Sequence, residues 1–247
     1  MMRKLLLALA PITIALSVGL HAQTMSGDEG DREDVYAKLV DTWMPEAGLQ
    51  KVNANLIDDV RAAYHADEEV HDLDAQCPGL IDATIETMIP FLSEYDAIEL
   101  RLRRAAAIQI LSEELSISDA RAATEFYASE LGQKLVLSVM SNYSLENTLT
   151  VALDSDDDEV PIEGAALESD KQNAVRAGIN ALSPDQRAEI ERQLEEATWG
   201  PAIARLRPKI SAAGLAISNS DFAPEVDKRM DQALDETIEA HLEKCDF

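Results

Sequence analysis

The sequence predicts an all-α fold, packed as a bundle or short array of helical hairpins with no sheet. Three observations carry this. Apolar residues recur at helical spacing almost throughout, helix start signals punctuate the chain, and no stretch alternates β-branched residues with period two. The final stripe is the cleanest: Val226, Met230, Leu234, Ile238 and Leu242 fall on one helix face.

From the N-terminus, Arg3 and Lys4 precede an apolar run from Leu5 to Leu20 that ends near His21-Ala22-Gln23. This is the pattern of a secretory signal peptide, here 1–22, with cleavage after Ala22. The apolar run is shorter than a membrane-spanning helix needs, and no Cys follows the cut to carry a lipid. The expectation is an exported protein with no stable membrane insertion after cleavage. It is periplasmic, with secretion as the alternative. Residues 23–33 are polar and read as a disordered mature N-terminus.

Helical stripes then follow in order. Val52, Leu56 and Val60 step by four; Ile81, Ile85, Met88 and Ile89 mark one face; Ile98, Leu102 and Ala105 continue beyond Pro90. Ser118-Asp119 reads as a helix start, and Leu131, Leu135 and Val139 follow on another stripe. Residues 151–170 are rich in Asp and Glu, have no Lys or Arg, and read as an acidic linker. This divides the mature chain into a helical domain at 34–150 and a second helical half at 171–247. In the second half Ser183-Pro184-Asp185-Gln186 is a strong start, with Ser as cap, Pro at the first helical position and Gln three after the cap. Trp199-Gly200-Pro201 ends one helix and begins the next, and Pro224-Glu225 opens the last. The expected core is Ile81, Ile85, Leu102, Phe126, Leu131, Leu135, Ile190, Leu194, Met230, Leu234 and Ile238. Leu115–Ala122 matches Leu182–Ala188 with one gap, and Leu131-Gly132 then matches Trp199-Gly200, so the two halves carry a weak common pattern.

Charge bounds the partners. With 21 basic and 47 acidic residues the 247-residue chain has a formal net charge of −26. Nucleic acid is excluded as a partner, because its backbone would be repelled. There is no Gly-rich phosphate loop, no Lys followed by Ser or Thr, and no G-x-S-x-G elbow, so no cofactor or catalytic residue is assigned.

Some chemistry remains to be weighed. His65, Glu69 and Asp72 fall at i, i+4 and i+7 and would share one face of a single helix, which makes them a weak metal candidate against a solvated helix end. Asp154, Asp156 and Asp158 have the spacing of a calcium loop, but Glu159 stands where Gly is needed and Ala165 where Glu is needed. Arg101, Arg103 and Arg104, with Glu99 one turn before Arg103, read as a salt-bridged helix surface, and Arg205, Arg207 and Lys209 make a second basic spot. Cys77 and Cys245 are the only cysteines, and in an oxidising compartment they are expected to form a disulfide that ties the last helix to the start of the helix after Gly79.

Phe126-Tyr127-Ala128-Ser129-Glu130-Leu131-Gly132-Gln133-Lys134 reads as a helix end, a Ser cap and a new helix. It resembles a family of exported bacterial helical proteins whose common domain has no known function and whose hallmark is F-Y-x-S-P-x-G-Q-K between two helices. Glu130 stands where that family usually has Pro; both are comfortable at a first helical position. The resemblance covers roughly residues 75–150. It implies an all-helical exported protein and brings no catalytic residue with it. The motif is read first as a packing element and second as an interaction surface around Tyr127, Gln133 and Lys134.

These readings favour an exported, non-enzymatic interaction or binding protein whose partner is an envelope protein or a small ligand. A carboxylate- or metal-dependent hydrolase and an acidic structural or stress-buffering protein are the alternatives.

Overall fold

The computed structural model describes residues 27–153, 162 and 164–245. Among these the chain is helical with no strand. The helices are α1 (Gly27–Trp43), α2 (Glu46–Ala66), α3 (Glu68–Gln76), α4 (Leu80–Glu114), α5 (Ile117–Ala128), α6 (Glu130–Ser141), α7 (Glu146–Leu153), α8 (Gly164–Ala181), α9 (Pro184–Glu196), α10 (Gly200–Ser218) and α11 (Pro224–Leu242). The signal segment 1–22 and the acidic calcium-like run from Asp154 to Glu159 lie outside the described residues.

α4 is the spine. Its 35 residues make a rod about 52 Å long at ~1.5 Å per residue. Pro90 sits inside it without ending it. Near its start, Ile81 and Ile85 pack with Val60 and Tyr64 of α2 and Val70 of α3. Met88 and Tyr95 pack with Val226, Met230 and Leu234 of α11. Near its end, Ala107 and Leu111 enter the largest cluster, with Tyr36, Leu39 and Val40 of α1, Phe126 of α5, Ile190 of α9, Trp199 just before α10 and Leu206 within it. Each large aliphatic side chain fully buried this way contributes about 1.5–3 kcal/mol. The hydroxyl of Tyr36 donates to the Leu115 carbonyl at 2.7 Å, satisfying a backbone acceptor where α4 gives way to α5.

Local signals account for most boundaries. At α9 the Ser183 hydroxyl accepts from Gln186 N–H while the Gln186 side chain accepts from Ser183 N–H, a complete capping box. At α6 the Ser129 hydroxyl accepts from Gly132 N–H. At α5 the cap is Ser116, not Ser118: Ser116 Oγ accepts from Asp119 N–H and donates to the Asp119 carboxylate, so the helix starts at Ile117.

Several expectations are corrected. α1 starts at Gly27, inside the segment 23–33 expected to be disordered. Residues 151–153 continue α7 and 164–170 open α8, so the expected linker 151–170 is helical on both sides of its undescribed centre. The halves 34–150 and 171–247 do not form separate cores. α8 packs along α6, α10 and α11 pack along α4, and Leu182, Ile190, Trp199 and Leu206 share the main cluster with Tyr36 and Leu111. Leu194 is exposed on α9 rather than buried, and Leu102, Leu131, Leu135 and Ile238 are half-buried at the margins of the core.

Two glycines permit close approaches. A Cβ on Gly132 would collide with the Phe126 carbonyl, so the turn from α5 into α6 needs its hydrogen. A Cβ on Gly178 would lie 2.6 Å from Val139 Cα, which places the α8 backbone directly against α6. Beside that crossing, Ser138 Oγ donates to the Gly178 carbonyl at 2.8 Å.

Phe126 is buried against Trp199 and Tyr127, with ring centroids 5.6 and 5.0 Å away. Phe126→Ala is expected to destabilise the protein by about 3–5 kcal/mol in urea unfolding. A loss below about 1 kcal/mol would mean that the hairpin is a surface and not part of the core.

Candidate functional site

The hairpin residues come together, but mainly as structure. Gln133 Nε2 donates to the Thr42 carbonyl at 3.1 Å and to the Tyr127 carbonyl at 2.7 Å, stitching the end of α1 to the turn. Tyr127 stacks edge-on against Trp43 and Phe126 and is tilted against Trp199. Burial pushes its phenol above the ordinary value. Of the three expected surface residues, Lys134 alone is exposed.

His65, Glu69 and Asp72 do not share a helix face. The helix breaks at Asp67, whose backbone is extended and whose carboxylate accepts from Val70 N–H at 2.9 Å. His65 therefore ends α2, while Glu69 and Asp72 belong to α3. The periodicity runs through the break because a carboxylate cap replaces the helix continuation with a new start.

Cys77 and Cys245 lie at disulfide distance, with Cα atoms 5.5 Å apart at a sequence separation of 168. Cys77 closes α3 and is fully buried; Cys245 follows α11. The last turn of α11 brings a third donor: His241, whose Nε2 is 3.1 Å from the Pro78 carbonyl. A ring nitrogen of His241 and the two sulfurs all lie within 4.8 Å of one another. Sequence reading missed His241, although its i, i+4 spacing to Cys245 on an amphipathic helix is a readable signal.

A second grouping was also missed. Between α4, α8 and α10, Arg103 donates to Glu99 at 2.9 and 2.8 Å and to Ser218 Oγ at 2.6 Å. Ser218 donates to the same Glu99 oxygen at 2.6 Å, so its buried hydroxyl is held on both sides. Alongside, Lys171 donates to Ser211 Oγ at 2.7 Å. Burial lowers the Lys171 ammonium from its ordinary value; Arg103 and Arg207 push the same way, and Glu168 opposes them. Among the described residues no carboxylate lies within ion-pairing distance of Lys171. Tyr143, in the turn before α7, is pushed up to about 12, chiefly by burial. Asp96 is pushed up to about 6, first by burial and then by Glu99, with Arg103 opposing. Ser211, Gly214 and Ser218 form a small polar face of α10, which is the signal the sequence held.

Adjacent to this seam, Asp170 is buried and accepts four hydrogen bonds at the start of α7. The donors are Asn147 N–H and Nδ2 at 3.1 and 2.6 Å, and Thr148 N–H and Oγ1 at 3.0 and 2.6 Å. A carboxylate at a helix N-terminus is favourably placed, and with its acceptors filled it serves as a structural clamp. The two basic spots are largely neutralised: Arg104 pairs with Asp41, Lys209 with Glu114, and Arg207 with Glu168 at 3.3 Å.

Residues 104–138 match a family described as "Uncharacterized protein conserved in bacteria (DUF2059)". The matched span runs from the second half of α4 through α5 into α6 and contains the Phe126–Lys134 hairpin. No curated protein and no solved structure matches the chain. No helix among the described residues is long and apolar enough to cross a membrane.

Two measurements follow. Replacing both cysteines by Ser is expected to lower stability by about 2–4 kcal/mol, against about 5 kcal/mol from the chain-entropy estimate for so long a loop. Thiol titration of the native protein should find no free cysteine; two reactive thiols would show that the pair is not bridged. The second concerns pH. Asp96 and Asp227 both have folded-state values pushed up to about 6, mainly by burial. Each folded carboxyl thus holds its proton more tightly than the unfolded one, so stability falls as pH rises from about 4 through 6. Thermal melts should give a higher Tm at pH 5 than at pH 7, and Asp96→Asn should shrink that difference. An unchanged difference would remove Asp96 as a cause.

Proposed function

We propose that the protein is an exported, non-enzymatic helical binding protein of the cell envelope, and that the seam around Lys171 receives an acidic group of its ligand. One observation carries the reading. Lys171 is half-buried and desolvated, and its described partner is a neutral hydroxyl, in a chain with 47 acidic residues. A half-buried ammonium whose hydrogen-bond partner among the described residues is a hydroxyl, with Glu168 nearby but outside ion-pairing distance, is placed to accept a carboxylate from outside. Ser211 bonds it and Arg103 is near enough to act on its charge, while Tyr143 feels the same Arg103 and Glu168, so the seam supplies charge and hydroxyl donors. Ser218 is locked between Arg103 and Glu99, which suits a support for the seam more than a nucleophile. Export rests on the Arg3-Lys4 and Leu5–Leu20 leader pattern and on the cysteine pair.

A carboxylate-dependent hydrolase is the second reading, favoured by Asp96, whose carboxyl stays protonated to about pH 6 beside Glu99.

Thermal shift of the purified protein against acetate, succinate, citrate and phosphate tests the binding reading. At one hundred times its Kd, a bound anion stabilises by about 2.7 kcal/mol. At least one should raise the Tm of the wild type and not of Lys171→Met. Equal shifts in both proteins would refute the assignment. Ester or glycoside turnover lost in Asp96→Asn would favour the hydrolase instead. In cell fractionation the expected product is periplasmic and lacks residues 1–22; a full-length cytoplasmic product would overturn export.

A further inference from the structure

We infer that Cys77, His241 and Cys245, once the cysteine pair is reduced, form a binding site for a thiophilic divalent metal ion such as zinc or cadmium. The inference is independent of the seam at Lys171.

The donors are already assembled. Cys77 is buried at the end of α3, where its N–H donates to the Leu73 carbonyl at 2.9 Å and its carbonyl accepts from Leu80 N–H at 3.3 Å, fixing it between two helices. His241 and Cys245 come one turn apart from the end of α11, which packs along α4. The three ligand atoms lie within 4.8 Å of one another; metal–sulfur bonds of ~2.3 Å and a metal–nitrogen bond of ~2.0 Å set tetrahedral donors about 3.5–3.8 Å apart, so binding asks the sulfurs freed from the bridge to part and the imidazole to close in by about 1 Å.

The imidazole is also oriented. A carbonyl oxygen only accepts, so the 3.1 Å contact between Nε2 and the Pro78 oxygen puts the ring proton on Nε2. Nδ1 then carries the free lone pair. Histidine ligands commonly donate their second nitrogen to a backbone carbonyl in this way, which fixes both tautomer and ring plane.

The chemistry balances with a dithiol reductant. Two electrons from the reductant break the S–S bond, the reductant leaves as its own disulfide, and Cys77 and Cys245 take up two protons. On binding, the divalent ion displaces those two protons. Two thiolates and a neutral imidazole give a site with no net charge, and water fills the fourth position. The ion then performs the mechanical task of the disulfide, joining the end of α11 to the turn before α4.

The test uses the full mature chain, reduced with a dithiol that is then removed under anaerobic conditions, and titrated with cadmium. Thiolate-to-metal charge transfer in the ultraviolet reports sulfur ligation and is silent to cadmium held by surface carboxylates. The reduced wild type should show this band saturating at one ion per chain, and zinc should compete it away. The oxidised wild type and Cys77→Ser should show none. His241→Ala leaves both thiols in place and should bind about ten-fold or more weakly. Circular dichroism checks that each sample is folded, and zinc should raise the Tm of the reduced wild type more than that of His241→Ala. A reduced wild type without the band, or His241→Ala binding as tightly as the wild type, would overturn the inference.

Discussion

Everything in this fold is referred to one rod. α4 contributes side chains to all three apolar clusters, and the helices that follow return to it or to helices already seated on it. A helix this long would be of little use alone, since helices in folded proteins gain most of their stability from tertiary packing of an apolar face. Here different stretches of its surface are covered by different partners: α2 and α3 near the start, α11 along the first half, and α1, α5 and α10 toward the end. Continuity through Pro90 is therefore central. A break there would uncouple the cluster around Ile81 and Ile85 from the cluster around Leu111, and the molecule would have two cores instead of one connected series.

Small residues and filled carboxylates set the spacing around that rod. Gly132 and Gly178 let backbones touch where a side chain would hold them apart. Asp170 and Asp59 both accept backbone N–H groups at or just before the start of α7, from α8 and α2 respectively, so a short helix is held by acidic groups from two directions. In a protein with so large an excess of acid, this shows carboxylates used as connectors rather than only as a repelling surface. The hairpin in the matched bacterial family region belongs to the same category: Ser129, Gly132 and Gln133 each have a structural partner within the turn or at the end of α1.

Features with local causes were legible in the sequence. The Ser183 box, the Ser129 cap and the Pro224 start depend on residues a few positions apart, and the structure places them where the pattern put them. The cysteine pair was legible because there were only two candidates. The break at Asp67 was not, since the apolar and acidic spacing continues across it and only the capping bond from Asp67 to Val70 reveals it. Leu194 followed the stripe of α9 but lies at its solvent-exposed edge. The seam was hidden for a different reason. Arg103, Lys171 and Ser218 come from three helices far apart in sequence, and each alone looks like an ordinary surface residue. The same holds for His241, whose significance depends on the turn at Pro78 lying beside the end of α11.

The bridge also divides the chain into two mechanical classes. Residues between Cys77 and Cys245 form a closed ring of covalent bonds containing α4 to α11, while α1, α2 and α3 hang outside it. A pulling force applied to the two ends of the protein is carried past the ring through the sulfur link, so α4 to α11 bear little of the load. α1 and α2 have no such shield, although Tyr36 and Tyr64 anchor them in the clusters. The protein under tension would therefore yield at its N-terminal helices first, shedding α1 and α2 from a ring that keeps its contour length.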